Sequence, residues 1–232
     1  MTDSIKLHLG CGRTHEEGWV NCDLYPAPNV DHAFDVQKDW PFATNSVSEI
    51  YASHLLEHLS DPLAFFREAW RVSRPNASML LRLPYGGHRS AWYDLTHIRP
   101  WYAENFCFFQ PGYSEAVNNP QGDTWTAFFG VHIVDLRVNK TFAPWLRRRW
   151  ARRFFLAWGA QLTDFVEELW VSMYALKTQA AVELYRQQRP ANLVPCRHVI
   201  FRHELEARTL RPGERFDLVS LDEMNAQAGH QG

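Results

Sequence analysis

Two stretches of this chain carry residue types and spacings that could do chemistry. The first is HLLEH at residues 54–58, where His54 and His58 stand four apart with Glu57 beside the second. In that pattern a single helix offers two imidazoles to a zinc ion and sets a carboxylate beside the bound water. Such a helix must run through both histidines and well beyond them, yet Pro62 follows four residues after His58. Proline has no N–H for the carbonyl of His58, and its ring crowds that carbonyl, at a cost of about 3 kcal/mol or more. The stretch is therefore expected on the turn between a strand and a new helix, with no metal bound. The remaining alternative is a zinc hydrolase using His54, Glu57 and His58.

The second stretch is LHLGCG at residues 7–12, which sets Gly10, Cys11 and Gly12 directly after an apolar run from Ile5 to Leu9. In open α/β sheets ligands bind at the carboxyl ends of strands, and glycines there let the backbone approach them closely. Asp23 ends the next apolar run, where a carboxylate can accept hydrogen bonds from two ribose hydroxyls. A dinucleotide fingerprint would need Gly-x-Gly-x-x-Gly, with its acid about 20 residues on. Here position 15 is His, and Asp23 comes only 13 residues after Gly10. Nothing remains to cradle a diphosphate, so a phosphate-free nucleoside carrying a positive sulfonium suits the pattern better.

These residues need strands to carry them. Ile5–Leu9 and the run ending at Asp23 read as the first two strands, 30–36 as a weaker third, and 46–53 as a fourth with β-branched alternation. SDP at 60–62 is a helix start, and Leu63, Phe66, Ala69, Trp70 and Ser73 recur at helical spacing, predicting a helix over 62–73. RPNA stops it, and the apolar run 78–84 is a fifth strand. Segments 129–138 and 165–176 read as a late antiparallel pair with a helix over about 144–162 between them, and RPGE at 211–214 as a hairpin. Alternating strands and crossovers predict a doubly wound, mostly parallel sheet.

The chain has 232 residues, 46% hydrophobic and 22% charged, with a formal net charge of -2. That suits one globular domain with additions and gives no overall attraction to nucleic acid or anionic lipid. The four cysteines form no Cys-x-x-Cys pair, so neither a zinc knuckle nor a dithiol site is indicated. The amino-terminal residues lack the pattern of an export signal, and no run is long and apolar enough to span a bilayer, so a cytoplasmic protein is expected.

Taken together, LHLGCG, EEGWVNCDL, FDVQKDWPF, SHLLEHLSDPLAFFREAWRVSRPNASMLLRLP and DLTHIRPW, in order over residues 5–110, resemble the class I S-adenosylmethionine-dependent methyltransferases, in particular a small bacterial group. The resemblance implies a Rossmann-like α/β fold of seven strands with the last antiparallel, over residues 1–177, followed by a C-terminal extension at 178–232. It implies S-adenosyl-L-methionine as cofactor, with Gly10, Cys11 and Gly12 against its methionine and ribose portion and Asp23 and Leu24 at the ribose. Asp35 would stand near the adenine amino group with Val36 on the ring, and Ser53 and His54 would line the methionine side. Glu57 and His58 then pin a turn. The sequence departs from the family at PNA (75–77), where Pro-Gly-Gly is usual. The short gap from Gly12 to Asp23 leaves little room for a first crossover helix, so a more open adenosine pocket is expected.

SAWYDLTHIRPWY (90–102) follows the fifth strand and suits an acceptor lid, with Trp92, Tyr93, Arg99 and Trp101 as substrate-binding residues. His97 could take a proton from an acceptor hydroxyl with Asp94 fixing its tautomer, or the pair could simply staple a loop. His88 is a further base candidate. LRRRWARRFF sets Arg147 to Arg153 beside an aromatic stripe, either as a solvated face or as a peripheral contact with the inner face of the membrane. The expected activity is methyl transfer to a hydroxyl or amine of a small molecule or glycan precursor, with no nucleic-acid partner. A cofactor-binding protein that methylates nothing is the alternative.

Overall fold

A computed structural model of the chain describes residues 4–113, 124–138, 141, 148, 150 and 163–188. The helix expected over 144–162 and the hairpin at 211–214 lie outside the described residues, apart from the exposed Arg148 and Trp150.

Seven strands form one sheet: β1 (Ile5–Leu9), β2 (Val20–Asp23), β3 (His32–Ala33), β4 (Val47–Ser53), β5 (Ser73–Pro84), β6 (Phe129–Val138) and β7 (Val166–Ala175), in the order β3-β2-β1-β4-β5-β7-β6. The pairs among β1 to β5 are parallel, and β7 lies antiparallel between β5 and β6. The expected α/β architecture is therefore the one observed. Strands covered on both faces read as near-continuous apolar runs, and Leu7, Leu9, Val47, Leu81 and Leu83 are fully buried.

Helix α1 (Pro62–Val72) begins where the SDP signal put it: Asp61 caps it by accepting from the Ala64 N–H at 3.0 Å, and Pro62 occupies the first turn. It buries Phe65, Phe66, Ala69 and Val72, while Leu63 and Trp70 are only half-buried, so the buried stripe is turned from the expected one. The fifth strand starts at Ser73 rather than at 78. Val47 pairs with Ser73 and Glu49 with Ser78, so residues 74–77 bulge out of the ladder around Asn76, whose φ is 60°. Asparagine tolerates that left-handed conformation, and the bulge takes the place of a glycine turn. The third strand shrinks to two exposed residues, as a polar edge with one neighbour would.

No helix joins β1 to β2. The side chain of Asn21, fully buried at the start of β2, organises the connection instead. Its oxygen accepts from the Glu16 N–H at 2.9 Å, and its amide donates to the carbonyls of Glu16 and Trp19 at 3.1 and 3.0 Å. Asp31 in turn accepts from the Asn21 N–H at 2.7 Å.

Helix α2 (Ser90–Tyr93) is a single turn, and helix α3 (Gln179–Gln188) was not anticipated. Thr178 accepts from the Ala181 N–H at 3.1 Å, and Val182 and Tyr185 pack on Leu176, a capped i, i+3 pattern that the sequence does contain.

Phe66 holds the layers together, its ring meeting those of Phe65, Phe106, Phe109 and Phe129 at centroid distances of 5.3, 6.3, 3.8 and 5.9 Å. Phe66→Ala is expected to cost about 3–5 kcal/mol, and Phe66→Leu clearly less. Urea unfolding of the two variants checks the ranking.

Candidate active site

The strand order reverses between β1 and β4, and the crevice outside their carboxyl ends is where a doubly wound sheet binds ligands. Gly10 leaves β1 at φ 65°, and Gly12 follows at φ 56°. A methyl group on Gly10 would lie 3.1 Å from Cδ1 of Leu55, whereas one on Gly12 would meet nothing within 4 Å. The backbone at Gly12 therefore borders open space. Its N–H donates to Asp23 Oδ2 at 2.8 Å, while Asp23 Oδ1 accepts from the Leu24 N–H at 2.7 Å. Asn29 clasps the loop from outside by donating to the carbonyls of Gly12 and Thr14 at 2.9 and 3.2 Å. Sequence reasoning missed Asn29, whose only local signal is that it is a loop amide.

Cys11 is buried at the bend, its N–H donating to the Cys22 carbonyl at 3.0 Å. Burial first, and then the charge of Asp23, push its thiol pKa up, and burial pushes that of Cys22 up to about 12. Both behave as small apolar groups rather than nucleophiles. Asp35 turns one oxygen to the Gln37 N–H at 2.9 Å and stands 3.7 Å from Lys38 Nζ. Val36 is buried, and Leu24 and Tyr25 are exposed beside Asp23. The residues expected at a ribose and an adenine thus share one end of the sheet.

Ser53 ends β4 beside them and His54 follows it. His54 adopts φ 53°, and only a tight turn over Leu56–His58 separates it from α1, so His54 and His58 do not share a helical face. The imidazole of His54 lies between two carboxylates, Nδ1 3.3 Å from Glu57 and Nε2 3.3 Å from Glu168. Glu168, on β7, also accepts from Arg82 at 3.1 Å, Arg137 at 3.2 Å and Trp170 at 2.8 Å. Burial alone would raise the Glu168 pKa, but the bond from His54 and the charge of Arg82 hold it well below the usual carboxylate range. Nothing near HLLEH announces Glu168, which lies 114 residues away.

The segment after β5 folds back onto this turn, with the Ile98 N–H donating to the Glu57 carbonyl at 2.7 Å and Arg99 to that of Ser60 at 3.0 Å. Trp92 and Tyr93 present largely exposed rings. Trp101, expected beside them, is instead buried in the core with its ring 5.3 Å from Phe106. Asp94 and His97 do approach, at 3.8 Å, but the His97 side chain is only 9% exposed and its Nδ1 is buried. That setting differs from the acceptor-facing base expected from sequence. His88 is likewise buried, bonded to Ser90 at 2.7 Å.

Glu168 and then Glu57 raise the His54 pKa from 6.5 to about 9. A raised pKa means that this stabilisation is complete below pH 6.5 and is lost as pH climbs through about 9. Solvent reaches nearly half of the side chain and screens it, leaving on the order of 1 kcal/mol. His54→Asn, which keeps the left-handed backbone accessible, is expected to lower the melting temperature at pH 6 and to match the wild type near pH 10, as calorimetry across that range would show.

Residues 23–81 match the family model described as a methyltransferase domain. No curated protein matches the chain. Among solved structures, an S-adenosylmethionine-dependent methyltransferase from Mesorhizobium loti is 14% identical, covering 73% of this chain and 90% of that one at a TM-score of 0.42. A SAM-dependent methyltransferase from Archaeoglobus fulgidus is 10% identical over 74% and 86% at 0.48. The YcgJ protein from Bacillus subtilis is 12% identical over 75% and 92% at 0.46. The match to the methyltransferase-domain model runs from the end of β2 into β5, and so takes in Asp23, Asp35 and the turn after β4.

Proposed function

We propose that the chain transfers a methyl group from S-adenosylmethionine to a hydroxyl or amine of a small molecule or sugar-containing precursor. The observation that carries this reading is the union of bare backbone and carboxylate at the carboxyl end of β1: the Gly12 N–H and Asp23 Oδ2 lie 2.8 Å apart beside open space. The residues present fit the cofactor. Asp23 retains lone pairs for ribose hydroxyls, and its neighbours Leu24 and Tyr25 offer apolar surface that would otherwise face water. Asp35 and the buried Val36 stand at the end of the next strand, where an adenine would lie.

S-adenosylmethionine, when bound, supplies a methyl carbon already activated by its sulfonium. The work left to this chain is positioning, which can supply much of the rate of such a displacement. Gly10 to Gly12 hold the cofactor's middle portion, and Ser53 borders its methionine end. Trp92 and Tyr93, exposed on the segment after β5, give the acceptor flat apolar faces suited to a sugar or aromatic ring.

Isothermal titration of the full chain with S-adenosylmethionine tests the cofactor half. Asp23→Ala, which removes charge-assisted hydrogen bonds, is expected to weaken binding by roughly 10- to 100-fold. A wild type that binds no S-adenosylmethionine overturns the reading. Release of S-adenosylhomocysteine on incubation with fractionated extracts tests the transfer half, and tight binding without any turnover would favour the non-catalytic alternative.

A further inference from the structure

We propose that Glu57, His58 and His97 form a binding site for a divalent ion of the zinc class, joining the turn after β4 to the loop after β5. One donor atom of each residue lies within 4.8 Å of the other two. The inference goes beyond the methyltransferase reading and does not depend on it, because its residues lie outside the glycine loop and its test uses no cofactor.

Glu57 is the first reason. Its side chain is 1% exposed, and neither carboxylate oxygen has a hydrogen-bond partner among the described residues. An uncompensated carboxylate in such a place carries a penalty of several kcal/mol. Its one ion-pair partner among the described residues, His54, approaches Oε1 at 3.3 Å without the alignment of a hydrogen bond, is shared with Glu168, and leaves Oε2 without a partner among those residues. Buried polar atoms are otherwise nearly always paired, so the orphaned pair of oxygens points to a ligand.

The two imidazoles are the second reason. Their rings stand edge to face at a centroid distance of 4.8 Å. His58 Nδ1 lies 3.2 Å from the Thr96 carbonyl and 3.1 Å from its hydroxyl. Donation to that carbonyl places the proton on Nδ1 and leaves the Nε2 lone pair free. His97 turns Nε2 toward Asp94 at 3.8 Å, and its Nδ1 is buried without a partner among the described residues. Asp94 is fixed in turn by the Thr96 N–H and hydroxyl at 2.9 and 2.7 Å. Each histidine thus offers one nitrogen free of hydrogen bonds among the described residues, with the other bonded to a carbonyl in His58 and set 3.8 Å from a carboxylate in His97, and such outer partners orient metal-binding histidines.

Two neutral imidazoles and one carboxylate suit a borderline divalent transition ion and leave coordination positions open. Around zinc, with bonds of about 2.1 Å, tetrahedral donor atoms sit about 3.4 Å apart, so the three groups must close by up to about 1.4 Å, a distance within reach of side-chain rotation. The ligand set differs from the zinc-peptidase pattern legible in HLLEH: His54 is held elsewhere, and its place is taken by His97, from a loop 43 residues further on.

The experiment is a zinc titration of the full chain after stripping with a chelator, by calorimetry and by metal content after dialysis. One zinc per chain is expected, together with a rise in melting temperature. His58→Ala, His97→Ala and Glu57→Gln are each expected to weaken binding by about 100-fold or more, and Thr96→Val, which removes the hydroxyl that holds Asp94 but keeps the backbone carbonyl on His58, by up to about 10-fold. His54→Asn should bind within about threefold of wild type. The exposed Thr96 variant, with circular dichroism of every metal-free protein, keeps the test valid should a buried variant fail to fold. No zinc bound by the wild type, equal affinity in His97→Ala, or loss in His54→Asn overturns the proposal.

Discussion

The carboxyl end of the sheet is governed by one constraint: β1 lies between β2 and β4, parallel to both, and all three strands end at the same level. Leu9 pairs with Cys22 on one side and with Ala52 on the other. Whatever follows each strand is therefore delivered to one rim: the glycines after β1, the acid ending β2, and the serine ending β4 with the histidine that follows it. Parallel pairing enforces this convergence because every crossover must return to the amino-terminal end of the sheet before the next strand begins. Between β1 and β2 the return is made by a short loop wound around the Asn21 amide rather than by a helix, which leaves the rim less covered there.

Much of that rim was legible because its signals are local. Glycines beside an apolar run, an acid ending the next one, and Ser-Asp-Pro before a periodic segment all depend on neighbours within a few residues. The contacts that were not legible join residues far apart. Glu168 reaches His54 across 114 positions, and His97 meets His58 where the Ile98 N–H bonds the Glu57 carbonyl and Thr96 bonds His58. The periodicity of α1 predicted its span but not its rotation, since Phe65 and Phe66 follow the aromatic partners that surround them. Trp101 reads from sequence as a substrate-binding residue of an acceptor lid, yet its parallel bridge to Tyr85 draws it into the core.

The five residues at 54–58 show how little of a motif's chemistry resides in its letters. Their backbone turns sharply, so each side chain faces a different neighbourhood. His54 faces β7, where two arginines and an indole already surround Glu168. Glu57 turns inward, and His58 faces the loop after β5. A helix would have placed the two histidines on one side, and the proline after the turn prevents it.

Strand β7 carries a consequence for how the chain is made. The inner strands can pair as they emerge during synthesis, but Ser78 finds Tyr174, and Pro84 finds Glu168, only after more than eighty further residues have appeared. Until then the growing sheet ends in β5, a ribbon with an open row of amides flanked by Met79, Leu81 and Leu83. Such a row invites pairing with any extended segment nearby. The nascent protein therefore passes through an interval in which it is sticky, and the last strand of the sheet is what makes it safe.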